Sequence, residues 1–77
     1  MQKYIKVFMD HFGYTQADFI PCEMCGSKAV DIHHIYGRGK GMDVAANLMS
    51  LCRACHVIAH TAGKKADYQN KHNEYLK

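Results

Sequence analysis

Two Cys-x-x-Cys pairs constrain the fold of this 77-residue chain more than any other feature of its sequence. Cys22 and Cys25 form the first pair, 26 residues follow, and Cys52 and Cys55 form the second. A gap of two residues lets both sulfurs of a pair face one ion, so the two pairs together predict a tetrahedral zinc site with four thiolate ligands. The alternative is a set of free core cysteines or a disulfide pair.

The length of the chain leads us to expect a cross-link of this kind. A single small core leaves a domain marginally stable, whereas zinc binding adds folding energy on the order of 10 kcal/mol in small zinc modules. Four thiolates leave no open coordination position, so this zinc is predicted to be structural. The apolar fraction of 48% argues against disorder. Since no signal peptide or membrane span is recognisable, we expect a cytoplasmic protein with no membrane partner.

The patterning of the remaining residues predicts a small α+β fold. Apolar residues recur at helical spacing in the N-terminal and C-terminal segments, and β-branched residues alternate in the middle of the chain. Glycines interrupt the middle segment and predict a flexible basic loop. The predicted order is a helix over about 2–12, the first cysteine pair, a strand over 29–36, a loop over 37–41, an extended segment over 47–51, the second cysteine pair, a helix over about 55–61 and a last helix over 64–76.

Four of the six histidines lie in two tight clusters. His56 and His60 are four residues apart on a predicted helix, so their rings share one face and can hold one ion. His33 and His34 are neighbours on a predicted strand and should point to opposite faces, so one of them joins the helical pair and the other is left as an acid or base. The residues alone leave open which takes which role. Each, taken separately, is also consistent with a surface or packing position.

Three neutral imidazoles would leave a bound ion its full charge and open positions, unlike the thiolate site. Such an ion stabilises a phosphoryl oxygen and a departing alkoxide, while a free histidine can deprotonate a water. The clusters therefore predict phosphodiester hydrolysis. The net charge of +3 suits an anionic partner such as DNA but has little weight alone. His11 and His72 have no such context and are treated as ordinary surface or packing residues.

These motifs resemble the HNH endonucleases. The resemblance is carried by the first cysteine pair, residues 31–35, residues 47–56 and His60. It covers residues 21–60, and no motif is recognised in residues 1–20 or 61–77. The resemblance implies a ββα-metal (His-Me finger) core with zinc knuckles and flanking helices, forming one domain over residues 1–77. It also implies a metal-dependent DNA endonuclease or nickase.

By the same resemblance, each motif residue acquires an expected role. His34 matches the general base that activates water, and Asn47 matches the residue that braces the loop between the strands. His33, His56 and His60 match ligands of the catalytic ion. That ion would be Mg²⁺, Mn²⁺, Ni²⁺ or Zn²⁺, and an all-histidine site favours the softer ions over Mg²⁺.

The basic loop supplies the expected DNA contacts. Arg38 and Lys40 are the best candidates for phosphate binding, and Arg53 is a weaker one; the alternative for all three is solvated surface charge. Asp31 could orient a ligating imidazole, but an exposed strand-edge position is an equal alternative, and we leave it outside the predicted site. No base-stacking platform is recognisable, so specificity is expected to be low or supplied by a partner protein.

Two other functions compete with the nuclease. One is a non-catalytic, zinc-folded module that binds nucleic acid through its basic loop. The other is a structural zinc domain for protein contacts. The histidine clusters favour the nuclease, because a module that only binds has no need of an open metal site.

Overall fold

Three helices surround a two-stranded antiparallel sheet in the computed structural model, which describes residues 3–15, 17–61 and 63–76. The small α+β fold and the predicted order of elements are confirmed. No helix in these ranges is long and apolar enough to cross a membrane. The elements are α1 (Lys3–Phe12), β1 (Asp31–His34), a 3-10 turn (Ala45–Asn47), β2 (Leu48–Leu51), α2 (Arg53–Ala59) and α3 (Lys65–Leu76).

The central elements begin and end at different residues from those predicted. β1 is shorter than 29–36 at both ends. The Ala29 N–H bonds the carbonyl of Ile20 (2.8 Å) and the Tyr36 N–H bonds the side chain of Asn47 (2.8 Å), so neither residue joins the ladder with β2. α2 starts earlier than predicted because Cys52 caps it, its sulfur accepting a hydrogen bond from the Cys55 N–H (3.5 Å). The second cysteine pair therefore lies at the start of α2, with Cys52 as its cap and Cys55 in its first turn.

The sheet places its two strands in a fixed register over the core. His33 lies opposite Met49 and His34 opposite Leu48. All of β2 is buried, and Phe8 of α1 is 1% exposed. Because β2 has no solvent face, the sheet is held from both sides and its histidines have fixed positions.

The four cysteine sulfurs form one cluster, with all Sγ atoms within 4.8 Å of one another. The Sγ atoms of Cys25 and Cys52, which belong to different pairs, are 3.6 Å apart, and the four cysteines form no disulfide. Gly26, at φ +82°, allows the tight turn in which its N–H bonds the carbonyl of Cys22 (2.9 Å). A hydrogen bond from the Ser27 backbone lowers the pKa of Cys25 to about 6. The donor set and its compactness fit a structural zinc ion.

A buried pair joins α3 to the first cysteine turn. His72 is fully buried and its Nδ1 lies 2.6 Å from the Glu23 carboxylate, while its Nε2 lies 2.7 Å from the Ala45 carbonyl. The other Glu23 oxygen accepts the Ser50 N–H (3.1 Å). A carboxylate and a carbonyl both accept hydrogen bonds, so the protonated ring, which has two N–H donors, matches both partners. Burial acts to lower the pKa of His72, but the bonds to Glu23 and Ala45 outweigh it and raise the pKa. The sequence analysis missed this role.

Replacing one cysteine ligand should unfold the domain. In Cys52→Ser we expect loss of helical circular dichroism, because zinc binding on the order of 10 kcal/mol is comparable with the whole stability of a small domain. Elemental analysis of the parent protein should find at least one tightly held zinc per chain. A parent protein that is folded and free of zinc would contradict this account.

The His72 pair should make stability depend on pH. Because folding raises the pKa of His72, its contribution is complete below the unfolded value of about 6.5 and is lost as the pH rises through the folded value. Urea midpoints of the zinc-loaded parent should therefore fall relative to those of His72→Gln as the pH rises above about 6.5. A difference between the two proteins that stays constant with pH would contradict the charged pair.

Candidate functional site

Three histidines from β1 and α2 meet at one point. His33 comes from β1, His56 from α2, and His60 from the residue that ends α2. Each offers a ring nitrogen, and these nitrogens lie within 4.8 Å of one another. The ring centroids are 4.9 to 5.3 Å apart. Solvent exposure increases across the cluster: His33 is buried, His56 is half-buried and His60 is exposed. One side of the cluster is therefore open to solvent.

The protonation of His33 suits a metal ligand. Burial, together with the neighbouring His56 and His60, lowers its pKa to about 4, so the ring is neutral at pH 7 and keeps a lone pair on one nitrogen. Neutral imidazoles are good ligands for Zn²⁺, Ni²⁺ and related ions. The three rings therefore fit a divalent transition ion.

Asp31 orients one member of this histidine cluster. Its Oδ2 lies 2.9 Å from Nδ1 of His56, which leaves Nε2 of that ring for a metal. Asp31, which the sequence analysis left outside the predicted site, therefore contacts the histidine cluster directly. The same carboxylate accepts hydrogen bonds from Arg53 Nε (2.9 Å) and Nη2 (3.2 Å). The guanidinium of Arg53 is thus engaged with Asp31, which makes it a poorer phosphate contact than the sequence analysis expected.

His34 lies apart from the histidine cluster. Its Nε2 is 2.8 Å from Oδ1 of Asp43, and its ring contacts the edge of the Tyr4 ring at 4.7 Å between centroids. His33 instead contacts rings of α2. The two neighbours thus face different helices, as strand alternation predicts. Only His33 joins the cluster.

Asn47 ties together the two ends of the glycine-rich loop. Its side-chain oxygen accepts the Tyr36 N–H (2.8 Å), and its amide nitrogen donates to the carbonyls of Gly37 (3.2 Å) and Met42 (3.0 Å). The side chain is buried, so water does not compete for these bonds. The loop between Gly37 and Met42 is held closed at its base.

An open cleft of about 460 Å³ adjoins the histidines. Arg38 borders the neighbouring groove, with its guanidinium carbon 4.9 Å from the Tyr4 ring centroid. Lys40 is exposed on the loop and does not line this cleft within the described residues. Lys65, at the start of α3, does line it, and no motif in the sequence indicated that. The cleft residues are His33, His34, Ile35, Gly37, Ala59, His60, Thr61, Gly63, Lys65 and Ala66.

Comparison with known families identifies one match. The family model described as HNH endonuclease matches residues 22–62, more than half of the chain. The matched range contains both cysteine pairs, the three histidines of the cluster and His34, whereas α1 and α3 lie outside it. No curated protein and no solved structure matches the chain.

The histidine cluster should bind a second ion in the zinc-loaded protein. We expect Ni²⁺, followed by titration calorimetry, to bind at one site per chain without releasing zinc. His60→Ala removes one of three ligands and should weaken Ni²⁺ binding on the order of tenfold or more, which corresponds to about 1.4 kcal/mol. His11→Ala, an exposed histidine of α1, is the matched control. Equal Ni²⁺ affinity in both variants would contradict the assignment.

Proposed function

We propose that this chain, which belongs to the HNH endonuclease family, is a metal-dependent endonuclease or nickase that hydrolyses phosphodiester bonds in DNA. One observation carries the proposal. The three clustered imidazoles, whose ring nitrogens lie within 4.8 Å of one another, line the same groove as His34, which does not belong to the cluster. A module that only binds nucleic acid needs neither. We take residues 1–77 as one nuclease domain.

His33, His56 and His60 would hold the catalytic ion, and the four cysteines would hold a separate structural zinc. When bound, the catalytic ion supplies positive charge that stabilises the phosphoryl oxygen and the departing 3′-oxygen. Mg²⁺, Mn²⁺, Ni²⁺ and Zn²⁺ are the candidates, and an all-nitrogen donor set favours the transition ions.

His34 is proposed as the general base. Its ring is held between Asp43 and Tyr4 and lines the cleft without belonging to the ligand set. In the proposed reaction it takes a proton from the water that attacks phosphorus. The bond between phosphorus and the 3′-oxygen breaks, the departing oxygen takes a proton from solvent, and the cut strand is left with a 3′-hydroxyl end and a 5′-phosphate end. A base of this kind contributes about 10²- to 10⁴-fold to a rate.

The glycine-rich loop is proposed to hold the DNA backbone. Arg38 and Lys40 are exposed on a loop whose base is tied by Asn47, and Arg38 borders the groove beside the histidines. Contacts to phosphate position the duplex without reading its sequence. Specificity is then low or comes from a partner protein.

A plasmid-relaxation assay tests the proposal. Zinc-loaded protein with Mg²⁺, Mn²⁺ or Ni²⁺ should convert supercoiled plasmid to open circles, and His34→Ala should slow this by about 10²-fold or more. His11→Ala should cleave like the parent. Filter binding of the same variants separates the functions: DNA binding without cleavage by the parent in any of these ions would favour the binding module instead.

A further inference from the structure

We infer that Asp43 is a positioning residue that fixes which nitrogen of His34 carries the proton. It does so by accepting a hydrogen bond from Nε2 and leaving Nδ1 unprotonated. This deepens the proposed function and rests on it, because the free nitrogen is the one that would accept the proton of water. The sequence analysis assigned Asp43 no role.

The hydrogen-bond chemistry allows one tautomer. Oδ1 of Asp43 lies 2.8 Å from Nε2 of His34, and an ionised carboxylate only accepts, so Nε2 carries the hydrogen. No described residue hydrogen-bonds Nδ1 of His34. Every buried side-chain nitrogen and oxygen in the described part of the chain has a partner, so an Nδ1 without one is reached by solvent. A neutral His34 therefore offers a lone pair at Nδ1.

The place of Asp43 is set by Asn47. The Asn47 amide donates to the carbonyl of Met42 (3.0 Å), the residue directly before Asp43. The other contacts of the same amide hold Tyr36 and Gly37, which follow His34 on the chain. One buried side chain thus fixes the backbone on both sides of the bond between His34 and Asp43.

The two aspartates of the site act on different ring nitrogens. Asp31 occupies Nδ1 of His56 and leaves Nε2, whereas Asp43 occupies Nε2 of His34 and leaves Nδ1. His56 belongs to the ligand cluster and His34 does not. The carboxylate partner therefore distinguishes a ring presented to an ion from a ring presented to water, in the way that outer partners fix the tautomer of histidines elsewhere.

Nitrogen NMR of the full zinc-loaded chain tests the tautomer without reference to activity. In ¹⁵N-histidine-labelled parent, long-range ¹H–¹⁵N correlations should show the neutral ring of His34 protonated at Nε2. Asp43→Ala should give both tautomers. Asp43→Asn, whose amide oxygen can still accept, should keep more of the Nε2–H form. Asp10→Ala, an exposed aspartate of α1 paired with Lys6, should match the parent.

Kinetics give the second measurement. Asp43→Ala should lower kcat on the order of tenfold or more with little change in KM, because it removes orientation of a base and leaves DNA contacts in place. Asp43→Asn should be intermediate. Since Asn47 is inferred to act through Asp43, Asn47→Ala should lower kcat by a smaller factor in the Asp43→Ala protein than in the parent.

The outcomes separate this inference from the proposed function. A parent spectrum with His34 protonated at Nδ1 would overturn the inference whatever the activity, as would an Asp43→Ala protein with unchanged tautomer and unchanged kcat. A parent with the Nε2–H tautomer but no cleavage in any of the ions would support the role of Asp43 in fixing the ring and contradict the nuclease.

Discussion

The meeting of the two cysteine pairs is the contact on which the other features of this protein depend. The first pair lies before β1, and the second lies at the junction of β2 and α2. Bringing their sulfurs within 4.8 Å fixes where α2 leaves the sheet. His56 and His60 lie on and at the end of that helix, and His33 lies on the strand paired with β2. The contact between the cysteine pairs therefore also sets the distances between the three histidines.

The two clusters differ in their donor atoms, so the metal complexes that they would form differ in charge. Four thiolates around a zinc ion give a closed complex with net negative charge, which suits a structural role. Three neutral imidazoles around a divalent ion would give a cationic centre with open positions, which would attract phosphate oxygens. The buried pair of Glu23 and His72 connects the first cysteine pair to α3, which lies outside the matched region.

Local patterns in the sequence were sufficient to predict which cysteines and which histidines lie close together. The two-residue gap between Cys22 and Cys25 predicts that both sulfurs face one point. The spacing of four between His56 and His60 predicts that both rings lie on one face of a helix. Strand alternation likewise separated His33 from His34. The fold class followed from the same periodicities.

The carboxylate partners of the histidines were not predictable in this way. Asp31 reaches His56 across 25 positions and Glu23 reaches His72 across 49, so neither pair has a spacing that a local period encodes. Asp43 lies nine positions from His34, but a loop of glycines between them can close in many ways until Asn47 ties its base. Carboxylates of this kind are indistinguishable from solvated charges until the chain is folded.

Anomalous diffraction from a crystal soaked in Mn²⁺ tests the central claim most directly, since data on both sides of the zinc edge distinguish the two metals. The account predicts a zinc peak among the four cysteines and a separate manganese peak bounded by His33, His56 and His60. A zinc peak alone, with the three imidazoles turned away from a common point, would contradict it.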